Sequence, residues 1–342
     1  MKRSILTFVC LIMAAGLWVS CTCSEQSIGK SMGRWNGFGV ESMKQQKAGG
    51  LDYIEVTMNN VIGKDTAGVQ ERAARLMAEI EASGLKVWSV HMPYSRKWDI
   101  SLIDDAKRAD VVQFMKDMMK VAGTFKPSYI VLHPSAEPVA PDERAERLQN
   151  SHASIGELAP AAKEIGAVLC IENLPRTCLG KNGQEMMYLI DGYDEVGLCF
   201  DVNHLMYQSH EDFLKAVAKG KIKTVHLSDY NFTDERHLLP GVGHIDWKPL
   251  WDGIRANGYD GIFMFECFGE PAELEHACDI LTGDFVPAKS YIDADSLAFR
   301  NADWQITDLG KGAQAMYAQV PMFFSTQSIC CIKYPAKKFK SE

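Results

Sequence analysis

Seven side chains that bind metals or move protons each follow directly after a short apolar run. They are Glu55, His91, His133, Glu172, Asp201, His226 and Glu266. Two of these runs, 196–200 and 222–225, are separated by a segment of helical length, as in a βαβ unit. Asp201, His204 and His226 should therefore lie at the same edge of one parallel sheet.

Four of these residues come from successive apolar runs, and their types suit a cation. They are Glu172, Asp201, His226 and Glu266. Three carboxylates held close together would repel one another unless a positive ion lay between them. Carboxylate oxygens combined with an imidazole nitrogen suit Mn²⁺, with Co²⁺, Mg²⁺ and Zn²⁺ as competitors. The pattern predicts a divalent metal site, although any one such residue taken alone is often a helix cap or an ion-pair partner.

The apolar runs alternate with helical patterns, and this order sets the predicted fold. The predicted strands are 37–40, 51–54, 86–90, 129–132, 168–171, 196–200, 222–225 and 261–265. The clearest helical patterns are 69–83, 104–123, 142–165, 211–219, 247–257 and 273–281. Eight strands alternating with helices over roughly 250 residues are typical of an α/β fold, the (β/α)₈ TIM barrel, which carries its active site at the carboxyl ends of the strands. A doubly wound open sheet is the alternative, but no glycine-rich phosphate loop follows the first predicted strand.

Composition limits the classes of partner. The chain has 342 residues, of which 46% are hydrophobic, and a formal net charge of −8. That length and hydrophobic content can bury a full core. The acidic balance argues against tight binding of nucleic acid, so we expect no nucleic-acid partner.

Residues 1–20 have the parts of an export signal. Lys2 and Arg3 precede an apolar run at 5–19, and small residues lead to Cys21. The segment resembles a bacterial lipoprotein signal with Cys21 as the lipidated residue, although Trp18 departs from that pattern and leaves simple cleavage open. We expect an exported protein, either periplasmic or anchored to the membrane by lipid on Cys21. Residues 21–33 are then predicted to be a linker, 34–283 the barrel, and 284–342 a C-terminal extension of unknown structure.

Several motifs around the strand-end residues carry a resemblance to a known family. They are Val90-His91-Met92-Pro93-Tyr94, Leu132-His133-Pro134, Ile171-Glu172-Asn173-Leu174-Pro175-Arg176, Phe200-Asp201-Val202-Asn203-His204, Val225-His226-Leu227-Ser228-Asp229, residues 236–247 and Phe265-Glu266. Over about residues 34–283 the chain resembles the xylose isomerase-like TIM barrel superfamily, especially its sugar phosphate isomerase/epimerase branch.

The resemblance implies roles for particular residues. Glu172, Asp201, His226 and Glu266 would hold one divalent metal ion, with Mn²⁺ favoured. The residues expected to contact a small carbohydrate substrate are His204, His91, His133 and Arg236. Glu172 and Glu266 would be the acid/base pair that moves a proton through a metal-stabilised enediolate. The sequence leaves open the sugar, its phosphorylation, the choice between isomerisation and epimerisation, and the oligomeric state.

The expected function is therefore that of a metal-dependent sugar or sugar phosphate isomerase or epimerase, and two other functions stay open. The ligand pattern of endonuclease-four-type abasic-site nucleases, which hold three zinc ions, also finds counterparts here, at His91, His133, Glu172, Asp201, His204, His226, His237 and Glu266. Glu235 stands where that pattern has an Asp, and the export signal and acidic charge argue against DNA repair. The third interpretation is a lipoprotein that binds a sugar without turning it over.

Overall fold

Eight parallel strands alternate with helices in a computed structural model that describes residues 26–286. The strands are β1 (Ile28–Ser31), β2 (Tyr53–Thr57), β3 (Lys86–His91), β4 (Tyr129–Leu132), β5 (Val168–Glu172), β6 (Gly197–Asp201), β7 (Ile222–His226) and β8 (Phe263–Phe265). The α-helices are α1 (Val40–Ala48), α2 (Met58–Ile62), α3 (Val69–Ser83), α4 (Asp105–Ala122), α5 (Arg144–Glu164), α6 (Gly183–Leu189), α7 (His210–Ala216), α8 (Trp247–Ala256) and α9 (Pro271–Thr282). The strand order β7-β6-β5-β4-β3-β2-β1-β8 confirms the predicted TIM barrel.

The barrel closes between β7 and β8 through a short contact. An isolated parallel bridge joins Leu227 to Phe265. The Leu227 N–H donates to the Met264 carbonyl at 2.9 Å, and the Glu266 N–H donates to the Leu227 carbonyl at 3.1 Å. This seam fixes the backbone of Glu266 beside the end of β7, so the residue after β8 lies next to the residues that end the neighbouring strands.

The first strand lies earlier in the chain than the sequence predicted. Strand β1 falls within residues 21–33, which we expected to be a linker, and the predicted strand at 37–40 instead leads into α1. The barrel therefore begins before residue 34. The strand was missed because it is short and polar: buried Lys30 donates from Nζ to the Gly269 carbonyl at 2.6 Å, and Gly29 leaves the space that the Met264 side chain fills.

Helix ends follow the local signals in the sequence. Helix α3 has the predicted bounds and ends at Gly84, whose φ of 81° is the left-handed conformation that glycine adopts without strain. Helix α4 begins after Asp104, whose side chain accepts the Lys107 N–H. Helix α7 begins after Ser209, whose side chain accepts the Asp212 N–H. These caps fix where α4 and α7 begin and where α3 ends.

Side chains alternate between the two faces of the strands. Leu169, Ile171 and Phe200 belong to the main core, which also contains the buried faces of the helices. Cys170 and Cys199 belong to a small separate cluster on the opposite face of the sheet, and both are free thiols. Because side chains on a strand alternate, Glu172 and Asp201 lie on the same face as these two cysteines, toward the barrel axis.

The predicted export signal with Cys21, and the extension from residue 287 onward, lie outside the described residues. Within residues 26–286, no helix is long and apolar enough to cross a membrane.

Candidate metal and active site

Four ligand-type side chains meet at the carboxyl end of the barrel. Glu172, Asp201 and His226 end β5, β6 and β7, and Glu266 directly follows β8. His226 Nδ1 lies 3.0 Å from Glu172 Oε1, 3.2 Å from Glu266 Oε2 and 3.8 Å from Asp201 Oδ2. One ligand atom from each of the four lies within 4.8 Å of the others. The structure thus brings together all four residues that the sequence predicted as metal ligands, and we call them the four-residue cluster.

The electrostatics of the four-residue cluster fit a bound cation. Asp201 Oδ2 is buried and has no hydrogen-bond partner. Burial and the charges of Glu266 and Glu172 raise the pKa of Asp201 well above its ordinary value. Burial also opposes ionisation of Glu172, but the positive charges of His226 and His133 hold the pKa of Glu172 well below its ordinary value. Three carboxylates and one imidazole nitrogen, with one oxygen lacking a donor, are a donor set that a hard or borderline divalent ion satisfies.

Glu172 also contacts two further histidines. His91 Nε2 and His133 Nε2 each lie 3.0 Å from Glu172 Oε2, so both oxygens of this carboxylate are engaged. His91, His133 and Glu172 form a second group with metal-ligand spacing. Both histidines, predicted to contact substrate, therefore lie beside the four-residue cluster.

A third group of ligand type lies on the other side of Asp201. His204 Nε2 is 3.1 Å from Glu235 Oε2 and 3.4 Å from Asp201 Oδ2, while its Nδ1 lies 2.9 Å from the Asn173 carbonyl. Burial opposes protonation of His204, but Asp201 and Glu235 raise its pKa to about 10. Burial lowers the pKa of His237, the third member of this group, to about 4. His204 thus lies beside the four-residue cluster, as the sequence predicted.

The family of the chain follows from a comparison of its sequence with known families. A family model described as the xylose isomerase-like TIM barrel matches residues 44–283, which is more than half of the chain. The chain belongs to this family. The site described above therefore lies at the end of the barrel where TIM-barrel enzymes carry their active sites.

The chain is similar to several known proteins, among them an epimerase and a dehydratase. An L-ribulose 3-epimerase of Mesorhizobium japonicum is 26% identical over 241 residues, covering 66% of this chain and 74% of that protein. An inosose dehydratase of Lacticaseibacillus casei is 29% identical over 177 residues, covering 45% of this chain and only 55% of that protein. A solved structure of the IOLI protein with a bound zinc atom shares the fold, with a TM-score of 0.58 and 16% identity, covering 81% of this chain and 99% of that one.

The arginine side chain near the four-residue cluster is not the one that the sequence suggested. Arg236 is exposed, and among the described residues no hydrogen bond or ion pair joins its side chain to the four-residue cluster. Arg34 instead lies beside the cluster, with Nη2 3.5 Å from Glu266 Oε1 and a buried Nε that has no hydrogen-bond partner. The sequence missed Arg34 because the strand that precedes it, β1, was not recognised.

Arg176, which follows Glu172 by four residues, links loops at the mouth of the barrel through hydrogen bonds. Its Nε donates to Glu137 at 3.1 Å, its Nη1 to Asp234 at 2.8 Å and its Nη2 to Glu235 at 3.0 Å. Its φ of 51° lies in the left-handed region, which is uncommon for a side chain of this size. The guanidinium thus fixes Glu235, which in turn contacts His204.

Tyr94 forms an aromatic wall at the mouth. Its ring stacks on His133 with centroids 4.9 Å apart, and 41% of the residue is exposed. Asn59 holds the loop by exchanging two hydrogen bonds of 3.1 Å with the Tyr94 backbone. An exposed ring next to a polar cluster is a surface on which the apolar face of a sugar can pack.

Proposed function

We propose that this protein is a divalent-metal-dependent isomerase or epimerase of a sugar or sugar phosphate. The observation that carries the proposal is the four-residue cluster, in which Glu172 and Glu266 both approach His226 Nδ1 at the open end of the barrel. The epimerase among the relatives supports a small carbohydrate substrate. The donor set favours Mn²⁺, and the zinc in the IOLI structure supports Zn²⁺ as a competitor.

Two side chains of the four-residue cluster, Glu172 and Glu266, carry out the proton transfer. When bound, a divalent cation would polarise the sugar carbonyl and acidify the neighbouring C–H bond. Burial opposes ionisation of Glu266, but His226 holds the pKa of Glu266 well below the ordinary value, as it does for Glu172. Both residues therefore present carboxylates. One can take the proton from carbon and return it, or the other can return a proton that it has taken from solvent water, after which the first residue releases its proton to solvent.

The position of proton return decides the product. Return to the other face of the same carbon gives an epimer, and return to the neighbouring carbon gives an isomer. His204, with its raised pKa, carries a proton at neutral pH and can donate to a substrate hydroxyl. The exposed ring of Tyr94 would pack against the sugar from the side of β3.

Exchange of carbon-bound hydrogen tests this proposal. The purified protein with Mn²⁺ is incubated in D₂O with free and phosphorylated ketoses and aldoses, and NMR follows deuterium incorporation and new diastereomers. We expect exchange at a carbon beside the carbonyl, and we expect Glu266→Gln to slow it by at least about 100-fold, the lower range for a positioned acid or base. The matched control is Glu41→Gln, an exposed ion-paired carboxylate in α1, which should exchange at the wild-type rate. Sugar binding without exchange would instead favour a non-catalytic sugar-binding protein.

The same experiment separates a lyase from an isomerase. One relative is named an inosose dehydratase, and loss of water after proton abstraction would need the same acid and base. A product lighter by one water, detected by mass spectrometry, would place this protein with the dehydratases.

The second candidate is the three-ion nuclease, favoured by two further groups with ligand spacing. His91, His133 and Glu172 form one, and His204, Glu235 and His237 form the other. Incision of duplex DNA at a synthetic abasic site would support this candidate. The net charge of −8 argues against it, so we expect no incision above a metal-only control.

We also propose that the protein is exported and, through Cys21, anchored by lipid. Lys2, Arg3, the apolar run at 5–19 and Cys21 support this proposal. Metabolic labelling with a radioactive fatty acid should mark the wild type and not Cys21→Ser. Recovery of the full-length, unlabelled chain from the cytoplasm would contradict it.

A further inference from the structure

Glu55 lies inside the barrel behind one of the proposed metal ligands. It belongs to β2, is fully buried, and places Oε2 3.0 Å from His226 Nε2. Ser89 Oγ of β3 donates to the same oxygen at 2.7 Å. The β2–β3 register shifts between Ile54 and Glu55, after which Glu55 is opposite Ser89. An irregularity of this kind commonly re-aims a side chain next to an active site.

The two nitrogens of His226 face different partners. Nδ1 faces the carboxylates of the four-residue cluster, with Glu172 Oε1 at 3.0 Å, whereas Nε2 faces only Glu55 among the ion-pair partners of the described residues. A carboxylate on Nε2 keeps a hydrogen on that nitrogen, so Nδ1 can offer its lone pair to a cation. We propose that Glu55 is a positioning residue that orients His226 and fixes its tautomer for divalent-metal binding. This inference rests on the metal site of the proposed function.

A contribution to stability does not explain why a carboxylate is buried at position 55. Glu55 Oε1 is buried without a hydrogen-bond partner, and Ser89 and His226 share the other oxygen. A buried charge with incomplete pairing costs free energy, and replacing such a group is often neutral or stabilising. Carboxylates that hold the second nitrogen of a metal-binding histidine are the common exception, because they raise the basicity of the ligand and fix its ring.

The His226 side chain also contacts the His91 ring and the Cys199 thiol. The His91 ring stacks nearly parallel to the His226 ring, with centroids 5.9 Å apart and planes inclined by 15°. Stacking holds the plane of a ring but does not decide which nitrogen carries hydrogen. Glu55 places a carboxylate 3.0 Å from Nε2, so its removal should affect metal binding more than it affects packing.

Metal binding to two Glu55 variants tests the role without a known substrate. Glu55→Gln keeps the shape and an acceptor for the Nε2 hydrogen but removes the charge, and Glu55→Ala removes both. Calorimetry gives the dissociation constants for Mn²⁺ and Co²⁺, the visible spectrum of the Co²⁺-loaded protein reports ligand geometry, and thermal unfolding of the metal-free protein reports stability. We expect affinity to fall by about 10-fold in Glu55→Gln and about 100-fold in Glu55→Ala, with an altered Co²⁺ spectrum. The unfolding temperature of metal-free Glu55→Gln should equal or exceed that of the wild type.

Asp229→Asn is the matched control, since Asp229 is an equally buried carboxylate that contacts backbone and indole N–H groups rather than a ligand. It should lower the unfolding temperature and leave the dissociation constants unchanged. Wild-type affinity and spectrum in Glu55→Gln would overturn the positioning role while leaving the isomerase proposal intact. If the wild type itself bound no divalent ion, both proposals would fall. If Glu55→Ala does not fold, Glu55→Gln decides.

Discussion

Asp201 and Asp229 are both fully buried aspartates near the carboxyl ends of neighbouring strands, but their surroundings are opposite. Asp229 accepts four hydrogen bonds, from three backbone N–H groups, including that of Gly241 at 2.9 Å, and from Trp247 Nε1 at 2.8 Å. Asp201 accepts the Asn203 N–H at 2.7 Å on one oxygen, while the other has no hydrogen-bond partner.

The difference separates the part of the site that holds the fold from the part that holds a ligand. Asp229 closes the segment between β7 and α8, and Gly243 is needed there because a Cβ would collide with the Asp229 carboxylate. That segment carries Glu235 and His237, so Asp229 acts on the site only through the backbone. Asp201 has an oxygen free on the side of the four-residue cluster, as a metal ligand requires.

The largest expected effect is loss of metal binding when Asp201 is neutralised. Asp201→Asn should weaken Mn²⁺ binding by more than about 100-fold, the upper figure for groups that only support a ligand. Because burial, together with the charges of Glu266 and Glu172, disfavours this carboxylate more than His204 attracts it, stability of the metal-free variant should be unchanged or higher by about 1 kcal/mol. Calorimetry measures the affinity for Mn²⁺, and urea unfolding measures the stability of the metal-free protein. Strong destabilisation with intact metal binding would mean that Asp201 is a second structural aspartate.

The next effect is on stability and comes from Asp229. In Asp229→Asn the new amide NH₂ would face two N–H groups that now point at a carboxylate oxygen. Leaving such buried donors unpaired should lower the free energy of unfolding by about 2 kcal/mol, measured by urea unfolding of the metal-free protein. Weakened metal binding without a change in stability would contradict the structural role.

The smallest effect is a pH dependence, because the charged neighbour of Asp201, His204, titrates, whereas the N–H groups that contact Asp229 do not. His204 lies 3.4 Å from Asp201 Oδ2, and its pKa rises from 6.5 to about 10 in the folded protein. A raised folded pKa contributes stability that is fully present below pH 6.5 and is lost as the pH rises through about 10. His204→Gln should therefore flatten the alkaline decline in the unfolding free energy of the metal-free protein. An identical decline in the variant would show that another group causes it.

The order and type of the strands could be predicted because their signals are local. Tyr129–Leu132 is a continuous apolar run, and α3 is bounded by Val69 and Gly84 as its periodicity indicated. Strand β1 could not be predicted, because Lys30 is buried only through a carbonyl contributed by a distant loop. A sequence pattern cannot show that a lysine will meet such an acceptor.

The residues of the site also divide into those that the sequence predicts and those that it does not. Glu172, Asp201, His226 and Glu266 were predicted from their place after apolar runs, and the fold brings them together. The same pattern pointed to Glu55, but its contact with His226 joins residues 171 positions apart and needs the closed barrel. Arg236 was expected near substrate and is exposed, whereas Arg34 reaches Glu266 from an unrecognised strand.

Anomalous X-ray scattering from crystals grown with Mn²⁺ tests the central claim most directly. We predict one strong peak per chain, bound by Glu172, Asp201, His226 and Glu266. No peak among these four residues would contradict the account. Additional full-strength peaks at His91 with His133 and at His204 with His237 would also contradict it, since they would favour the three-ion nuclease.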